Sequence, residues 1–279
     1  MKVAPGFALH RDGPRLVVVA DGLEAAVAAL GLFEEGGLER CLADRTDGGG
    51  RGWTAVAPLP GRPERLHLRP VRHGGWLAPL TRDRLRSPAR PLAELSANAQ
   101  LRAAGAPVPR PALVAARRRR DRSWTATLGT LFEEDHRNAL DFLASQPARP
   151  RLLALAESAG VALRRFHDAG GRHADLHVAN LIVREDPGAP RVCIVDLDRA
   201  RVASPVPPRR RMREIMRLHR SLAKRGLEAA DDPALHARFF AGYSGRDREL
   251  RRALWATLPR ERLRGALHRL AYRRTYRRT

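Results

Sequence analysis

The first half of the chain consists of short apolar segments with polar breaks. Between residues 48 and 75 these segments are separated by Gly and Pro, and the alternation across 66–69 predicts a β-strand. Residues 112–132 predict two more strands on either side of a basic turn at 117–122. Apolar residues at helical spacing predict a helix over 92–104. This pattern predicts a small antiparallel sheet with one main helix.

In the second half of the chain, apolar residues recur every three or four positions, which is the spacing of helices. A strong helix is predicted from Arg151 to Ala169, and Asp135 is placed to cap a shorter helix that ends at Leu143. The β-branched runs Leu181–Arg184 and Arg191–Val195 flank a turn and predict a hairpin. Further helices are predicted over residues 208–225, 232–242, 246–257 and 260–274.

The change of composition near residue 133 predicts the domain organisation. We expect an N-terminal extension over 1–37, a sheet-rich lobe over 38–132 and a helical lobe over 133–279. The expected fold class is therefore α+β. Because no apolar run reaches the roughly 18 to 20 residues that cross a bilayer, and no signal segment opens the chain, we expect a soluble, cytoplasmic protein.

The chain has a large excess of positive charge. It contains 52 Lys and Arg residues against 30 Asp and Glu residues, which gives a formal net charge of +22. Such an excess fits nucleic acid, an anionic membrane surface or a phosphorylated substrate. An aromatic content of 5% argues against a single-strand nucleic-acid binder, because such proteins stack bases on aromatic side chains.

Three side chains with oxygen atoms stand beside two predicted turns of the second half. Asp175 begins a loop after the long helix, Asn180 comes where the next strand starts, and Asp196 ends the returning strand. We expect these groups to face one site. A carboxylate that accepts a hydroxyl proton, with an amide and a second carboxylate as hard oxygen ligands, is what magnesium-assisted phosphoryl transfer requires.

The segment from His173 to Asp198 reads H-x-D-L-x-x-x-N, then a strand, then D-x-D. It resembles the catalytic loop and metal-binding turn of protein-kinase-like enzymes. Other segments narrow the resemblance, over about residues 45 to 225, to the 3-deoxy-D-manno-octulosonic acid (Kdo) kinases of the lipopolysaccharide kinase family. These segments are Leu68–Gly75, the helix with Glu94, Pro107–Pro111, Asp196–Arg199 and Leu218–Lys224.

The resemblance implies a bilobal protein-kinase-like fold, with a small antiparallel-sheet lobe for nucleotide and a larger helical lobe for catalysis and the acceptor. Asp175 would be the catalytic base, and Asn180 and Asp196 would hold Mg²⁺ at the phosphates of ATP. Gly50 and Gly52 would belong to a glycine-rich loop over these phosphates.

Three positions depart from the usual protein-kinase residues. Arg69 stands in place of the strand lysine, and it keeps the charge and can pair with Glu94, although a planar guanidinium is not equivalent to an ammonium group. His177 replaces the catalytic-loop lysine, and Asp198 replaces a glycine, although Asp-Leu-Asp matches the Kdo kinases. Because Arg69 replaces the strand lysine, a pseudokinase that binds nucleotide without turnover is a further alternative function.

The resemblance implies that the acceptor is a Kdo sugar on a lipid A precursor. It also implies a peripheral protein on the cytoplasmic side of the bacterial inner membrane, where arginines would dock on anionic lipid; no nucleic-acid partner is expected. The candidate arginines are Arg199, Arg201 and the run 209–211.

Other functions stay open at this point. A kinase that acts on heptose or an aminoglycoside is the nearest enzymatic alternative, and a basic nucleic-acid-binding protein is a non-enzymatic one. A metallohydrolase site with imidazole and carboxylate ligands is a further alternative, although we expect His173 to brace the loop by hydrogen bonding. The cluster of this alternative consists of His167, His173, Asp175, His177, Asp196 and Asp198.

Overall fold

The computed structural model describes residues 3–42, 46–47, 53–72, 84–227 and 230–276, so that the predicted glycine-rich loop with Gly50 and Gly52 lies outside the described residues. The chain divides into two compact units. Unit 1 consists of Met1–Ala103, Val108–Glu134 and Leu197–Arg199. Unit 2 consists of Ala104–Pro107, Asp135–Asp196 and Ala200–Thr279.

Unit 1 is built on an antiparallel sheet with seven strands within the described residues. The strands are β1 (Phe7–Asp12), β2 (Arg15–Ala20), β3 (Thr46–Asp47), β4 (Trp53–Pro58), β5 (Arg65–Pro70), β6 (Pro111–Arg118) and β7 (Trp124–Leu131). Their order in the sheet is β1-β2-β6-β7-β5-β4-β3. The strand predicted at 66–69 and the two predicted over 112–132 are confirmed.

The sheet of unit 1 is covered by apolar side chains on both faces. Val17 and Val19 of β2 pack into one cluster with helix α1 (Glu24–Ala29). Leu16 and Val18 point to the other face. Because β1 and β2 are strands of this sheet, the residues predicted as an N-terminal extension supply part of unit 1, which begins before the predicted boundary at residue 38.

The main helix of unit 1 is α3 (Ala89–Ala103), which follows the short α2 (Gly37–Cys41). It starts three residues before the predicted residue 92 and buries an apolar stripe that includes Leu95 and Leu101. The chain leaves the helix through Gly105, whose φ of 81° lies in the left-handed region that favours glycine.

Unit 2 is mainly helical. Its helices are α4 (Ala139–Ala144), α5 (Arg149–Asp168), α6 (Pro208–Ala223), α7 (Pro233–Ser244) and α8 (Arg248–Tyr276), with a 3₁₀ helix at Val178–Asn180. The strands are β8 (His136–Asn138), β9 (Gly171–Arg172), β10 (Leu181–Arg184), β11 (Arg191–Ile194) and β12 (Arg201–Val202). Strands β11, β10 and β8 form one antiparallel sheet and β12 pairs with β9, so the predicted β10–β11 hairpin is confirmed.

Two details predicted for unit 2 are wrong. Asn138 caps α4 instead of Asp135, and its Oδ1 accepts a hydrogen bond from Leu140 N at 2.8 Å, because residues 136–138 first pair with β10 as a strand. The helices predicted over 246–257 and 260–274 form the single helix α8, which continues through Pro259.

No helix of the described ranges is both long enough and apolar enough to span a bilayer.

Glycines set the distance between α5 and α7. A Cβ added at Gly160 would lie 2.1 Å from the carbonyl oxygen of Phe239, and a Cβ at Gly242 would lie 2.1 Å from that of Glu157. Both distances are far inside van der Waals contact, and the opposing atoms belong to the backbone. The two helices therefore pack with this spacing only while these positions have no side chain.

We predict that Gly160→Ala lowers the free energy of unfolding by about 3 kcal/mol, because the helices must move apart. Urea denaturation measures this change. The matched control is Gly188→Ala, where an added Cβ meets nothing within 4 Å, and we expect a change within about 0.5 kcal/mol. Equal losses in the two variants would contradict the close approach of α5 and α7.

Candidate active site

The structure brings Asp175, Asn180 and Asp196 of unit 2 onto two adjoining turns. Asp175 lies in the loop before the 3₁₀ helix, Asn180 ends that helix, and Asp196 follows β11. The Asn180 side chain donates from Nδ2 to the carbonyl oxygen of Asp175 at 2.9 Å, and Val195 N donates to the Asn180 carbonyl at 2.9 Å. Asn180 is thus hydrogen bonded both to the backbone of Asp175 and to the backbone of Val195, the residue before Asp196.

The three side chains differ in their surroundings. Asp175 is 68% exposed, with His177 Nε2 at 3.8 Å from its Oδ2, whereas Asn180 is buried. Asp196 is half-buried and has a φ of 58°, a left-handed conformation that Asp adopts more easily than most residues. The carboxylate of Asp175 is therefore accessible from solvent, and the amide of Asn180 is held in one orientation.

His173 braces both turns with its ring, as the sequence predicts. Its Nδ1 accepts a hydrogen bond from Asp175 N at 3.1 Å, and its Nε2 donates to the Val195 carbonyl at 3.1 Å. This pairing requires a neutral imidazole with its proton on Nε2. Burial lowers the pKa of His173, although its backbone hydrogen bond and the charges of Glu214, Asp196 and Asp175 act in the opposite direction.

One face of α6 binds the backbone of the predicted catalytic loop, residues 173–178. Glu214, Arg217 and Ser221 lie three and four positions apart, which places them on the same side of a helix. They bond the N–H of His173 at 2.9 Å, the C=O of Ala174 and the N–H of Val178 at 2.9 Å, respectively. Sequence reasoning missed these supports; polar residues at this spacing on a buried helix face were the available signal.

Two of the three histidines of the metallohydrolase alternative, His167 and His173, are hydrogen bonded to other groups of the protein. His167 is fully buried, with Nδ1 at 2.6 Å from the Tyr243 hydroxyl and Nε2 at 3.2 Å from Glu214 Oε2. Both ring nitrogens of His173 are also hydrogen bonded. Among the described residues, no group of three or more His, Cys, Asp or Glu side chains is arranged to hold a metal. The hydrogen bonds of the two histidines therefore weigh against this alternative.

In unit 1, Arg69 of β5 pairs with Glu94 of α3. The guanidinium donates from Nη2 to Glu94 Oε1, across 25 positions of the sequence. The Glu94 side chain is 3% exposed and that of Arg69 is 23% exposed. The predicted pairing is thus confirmed, and a buried carboxylate holds a partly accessible guanidinium.

A second ion pair of α3 holds Asp198, which belongs to unit 1. Arg90 donates from Nε to Asp198 Oδ1 at 2.8 Å and from Nη2 to Oδ2, so the two side chains form a bidentate pair. Arg90 precedes Glu94 by one helical turn, so the same helix carries both pairs. Sequence reasoning did not find this contact, because 108 positions separate its two residues.

We predict that a double-mutant cycle of Arg90→Gln and Asp198→Asn gives a coupling free energy of about 1–3 kcal/mol, because each single change removes one member of a half-buried, bidentate ion pair. Chemical denaturation of the wild type, the single variants and the double variant measures this energy. Strictly additive losses would contradict the bidentate pair.

A model of the lipopolysaccharide kinase (Kdo/WaaP) family matches residues 41–243. Two proteins named 3-deoxy-D-manno-octulosonic acid kinase, from Xanthomonas euvesicatoria pv. vesicatoria (strain 85-10) and Xanthomonas axonopodis pv. citri (strain 306), are each 35% identical to this chain over 193 residues. These matches cover 67% of this chain and 72% of each relative.

A solved structure described as WaaP in complex with acyl carrier protein is similar in fold. The match has a TM-score of 0.59 and 18% identity, and it covers 89% of this chain and 97% of the WaaP chain. This likeness confirms the predicted α+β, bilobal protein-kinase-like fold.

Proposed function

The chain belongs to the lipopolysaccharide kinase (Kdo/WaaP) family, and on this basis we propose that it transfers the γ-phosphoryl group of ATP to a Kdo hydroxyl of a lipid A precursor. Family membership makes the chain a lipopolysaccharide core kinase, a phosphotransferase that uses ATP and an alcohol acceptor. The Kdo acceptor is the finer part of the proposal. It is supported by the names of the two Xanthomonas relatives.

The main structural support for this proposal is the pair of hydrogen bonds that the His173 ring makes to the two turns. One neutral imidazole bonds the backbone N–H of Asp175 and the carbonyl of Val195, the residue before Asp196. A single buried side chain thus sets the backbone of two turns at once. A phosphoryl-transfer site depends on such fixed positions more than on covalent chemistry.

Asp175 is the proposed general base. Its carboxylate is exposed, so an acceptor hydroxyl can approach it from solvent. The carboxylate accepts the hydroxyl proton while the sugar oxygen forms a bond to the γ-phosphorus. The bond between that phosphorus and the β–γ bridging oxygen breaks, and ADP leaves with the electron pair.

Asn180 and Asp196 fit the proposed role of Mg²⁺ ligands. Asn180 uses Nδ2 for its bond to Asp175, so its Oδ1 lies on the opposite side of the planar amide. Asp196 adds a carboxylate, and amide and carboxylate oxygens are ligands that Mg²⁺ accepts. When bound, the ion would neutralise charge on the triphosphate.

Arg69 is the proposed contact to the nucleotide phosphates in unit 1. Glu94 holds it from the buried side, and guanidinium groups bind phosphate oxygens through paired N–H groups. In this proposal Gly50 and Gly52 act as the glycine-rich loop, and both lie outside the described residues.

We also propose a peripheral location on the cytoplasmic side of the bacterial inner membrane, because the proposed acceptor is a lipid and the chain carries +22 charges. The exposed Arg199 and Arg201 remain candidates for contact with anionic lipid. Arg211 is not a candidate, although the sequence predicts it as one. It is buried, and it donates to Asp168 at 2.6 Å and to the Val206 carbonyl at 2.9 Å.

We predict that Asp175→Asn lowers kcat by about 10²- to 10⁴-fold and leaves ATP affinity within twofold, because it removes the base without changing the shape of the side chain. The assay incubates the protein with ATP, Mg²⁺ and a Kdo-bearing lipid A precursor and measures the product by mass. Asp231→Asn, at another exposed position of unit 2, should keep wild-type kcat. A rate near that of the wild type in Asp175→Asn would disprove the role of Asp175.

An apolar cavity in unit 2 supports an acyl chain as a second ligand. The cavity has a volume of about 270 Å³ and lies among α5, α6, α7 and α8. Aliphatic and aromatic side chains such as Leu155, Phe239 and Trp255 line it. Because the structural neighbour WaaP is in complex with acyl carrier protein, we propose an acyl chain delivered by that carrier as the occupant.

We predict that Ala159→Phe, which fills part of this cavity, weakens binding of palmitoyl acyl carrier protein at least tenfold, about 1.4 kcal/mol. Titration calorimetry measures the affinity. Ala241→Phe, at an exposed position of α7, is the control and should bind like the wild type. Equal affinities in the two variants would exclude the cavity as the acyl site.

A further inference from the structure

Two arginines of α6 lie near one buried carboxylate of α8 in unit 2, and two more arginines lie close to this pair. Arg213 Nε lies 3.7 Å and Arg209 Nε lies 3.9 Å from Oε1 of Glu261, which is 2% exposed. Arg210 and Arg264 lie close enough for their charges to act on Arg213, and both are exposed. We call Arg209, Arg210, Arg213 and Arg264 the arginine cluster.

The arginine cluster has more positive charge than Glu261 can balance. The Arg213 side chain is 17% exposed, and its Nε is buried without a hydrogen-bond partner in the part of the chain that the structure describes. Burial, together with the charges of Arg264, Arg210 and Arg209, lowers the pKa of Arg213 despite the opposing charge of Glu261. Three of the four guanidinium groups are exposed and the cluster contains one carboxylate, so its surplus of positive charge favours an additional anion.

The helix on which the cluster is built adds to this preference. α6 has 16 residues and begins at Pro208, so Arg209 and Arg210 lie in its first turn, which contains no acidic residue. The N-terminus of a helix carries partial positive charge, and arginines there are unfavourable unless an anion is present.

We propose that the arginine cluster binds a phosphate group carried by the acceptor lipid. This inference rests on the proposed function, in which the acceptor is a phosphorylated lipid. Guanidinium groups bind phosphate by paired, charge-assisted hydrogen bonds, and four of them suit its double negative charge.

The position of the cluster on α6 suits an acceptor site. Arg210 precedes Arg217 by seven residues, which corresponds to about 10 Å along the helix. Arg217 bonds the carbonyl of Ala174, the residue before Asp175. Along the axis of α6, the cluster is thus separated from the residue that holds the catalytic loop by about 10 Å, a distance that one lipid headgroup can span.

The first test measures phosphate binding without turnover. With Mg²⁺ and a saturating non-hydrolysable ATP analogue present, inorganic phosphate should raise the melting temperature of the wild type more than chloride does at equal ionic strength. The variant Arg210→Gln/Arg264→Gln changes two exposed side chains and should lose at least half of this shift. The control Arg246→Gln/Arg252→Gln removes the same charge from exposed positions and should keep it. Equal shifts in the three proteins, or equal losses in both variants, would overturn the site.

The second test identifies the source of the phosphate. In the kinase assay, Arg210→Gln/Arg264→Gln should raise KM for the phosphorylated acceptor about tenfold at unchanged kcat, and less than twofold for the same acceptor after phosphatase treatment. Equal increases for both acceptors would overturn the acceptor phosphate as the ligand. Loss of binding to phosphatidylglycerol vesicles, with no discrimination between acceptors, would assign the cluster to bilayer lipid instead.

The two tests separate this inference from the proposed function. If neither the wild type nor the variants phosphorylate the Kdo-bearing acceptor, the proposed function fails, and the assignment of the cluster to the acceptor fails with it. The phosphate-dependent shift in melting temperature would still show whether the arginine cluster is an anion site.

Discussion

The hydrogen bonds from one face of α6 to the loop 173–178 are the constraint on which the candidate site depends. The loop is irregular, so neither a helix nor a sheet satisfies its backbone, and it must still present the exposed carboxylate of Asp175. Glu214, Arg217 and Ser221 supply the missing partners from a rigid element. The position of Asp175 is therefore set by where α6 packs, and not by the loop's own conformational preference.

Burial and hydrogen bonding at His173 support each other. A neutral imidazole donates at one nitrogen and accepts at the other, whereas the protonated ring has only donors and would lose its bond from the Asp175 N–H. Burial lowers the pKa of His173 and so favours the form that can brace both turns. Glu214 belongs to the same arrangement, because it bonds the His173 backbone and the His167 ring. Replacing α6 residues would thus disturb the predicted catalytic loop without changing Asp175 itself.

The features that sequence could predict are those encoded by neighbouring residues. The β10–β11 hairpin followed from two β-branched runs around a turn, and α5 followed from its apolar spacing. The pairing of Arg69 with Glu94 was predictable because a family pattern relates a strand cation to a helix carboxylate. In each case a short pattern or a known motif contains both partners.

The features that sequence could not predict join distant segments or decide between two local preferences. Nothing near Arg90 indicates a partner 108 positions away. β1 and β2 join the sheet through pairing of β2 with β6, which no local pattern specifies. Asp135 and Asn138 are both good capping residues, and the pairing of β8 with β10 decides in favour of Asn138.

The net charge of +22 is the balance of 52 basic and 30 acidic residues, and it does not show which arginines are paired with carboxylates. The positions of the arginines relative to carboxylates show this. Arg90 and Arg211 bind acidic partners inside the fold, so their charges are not available to a ligand. The cluster around Glu261 is different, because two guanidinium groups share one carboxylate at distances longer than a hydrogen bond. An arginine-rich composition alone is therefore compatible with a well-neutralised surface. The local surplus of guanidinium over carboxylate at the start of α6 is the property that makes an anion a favourable ligand there.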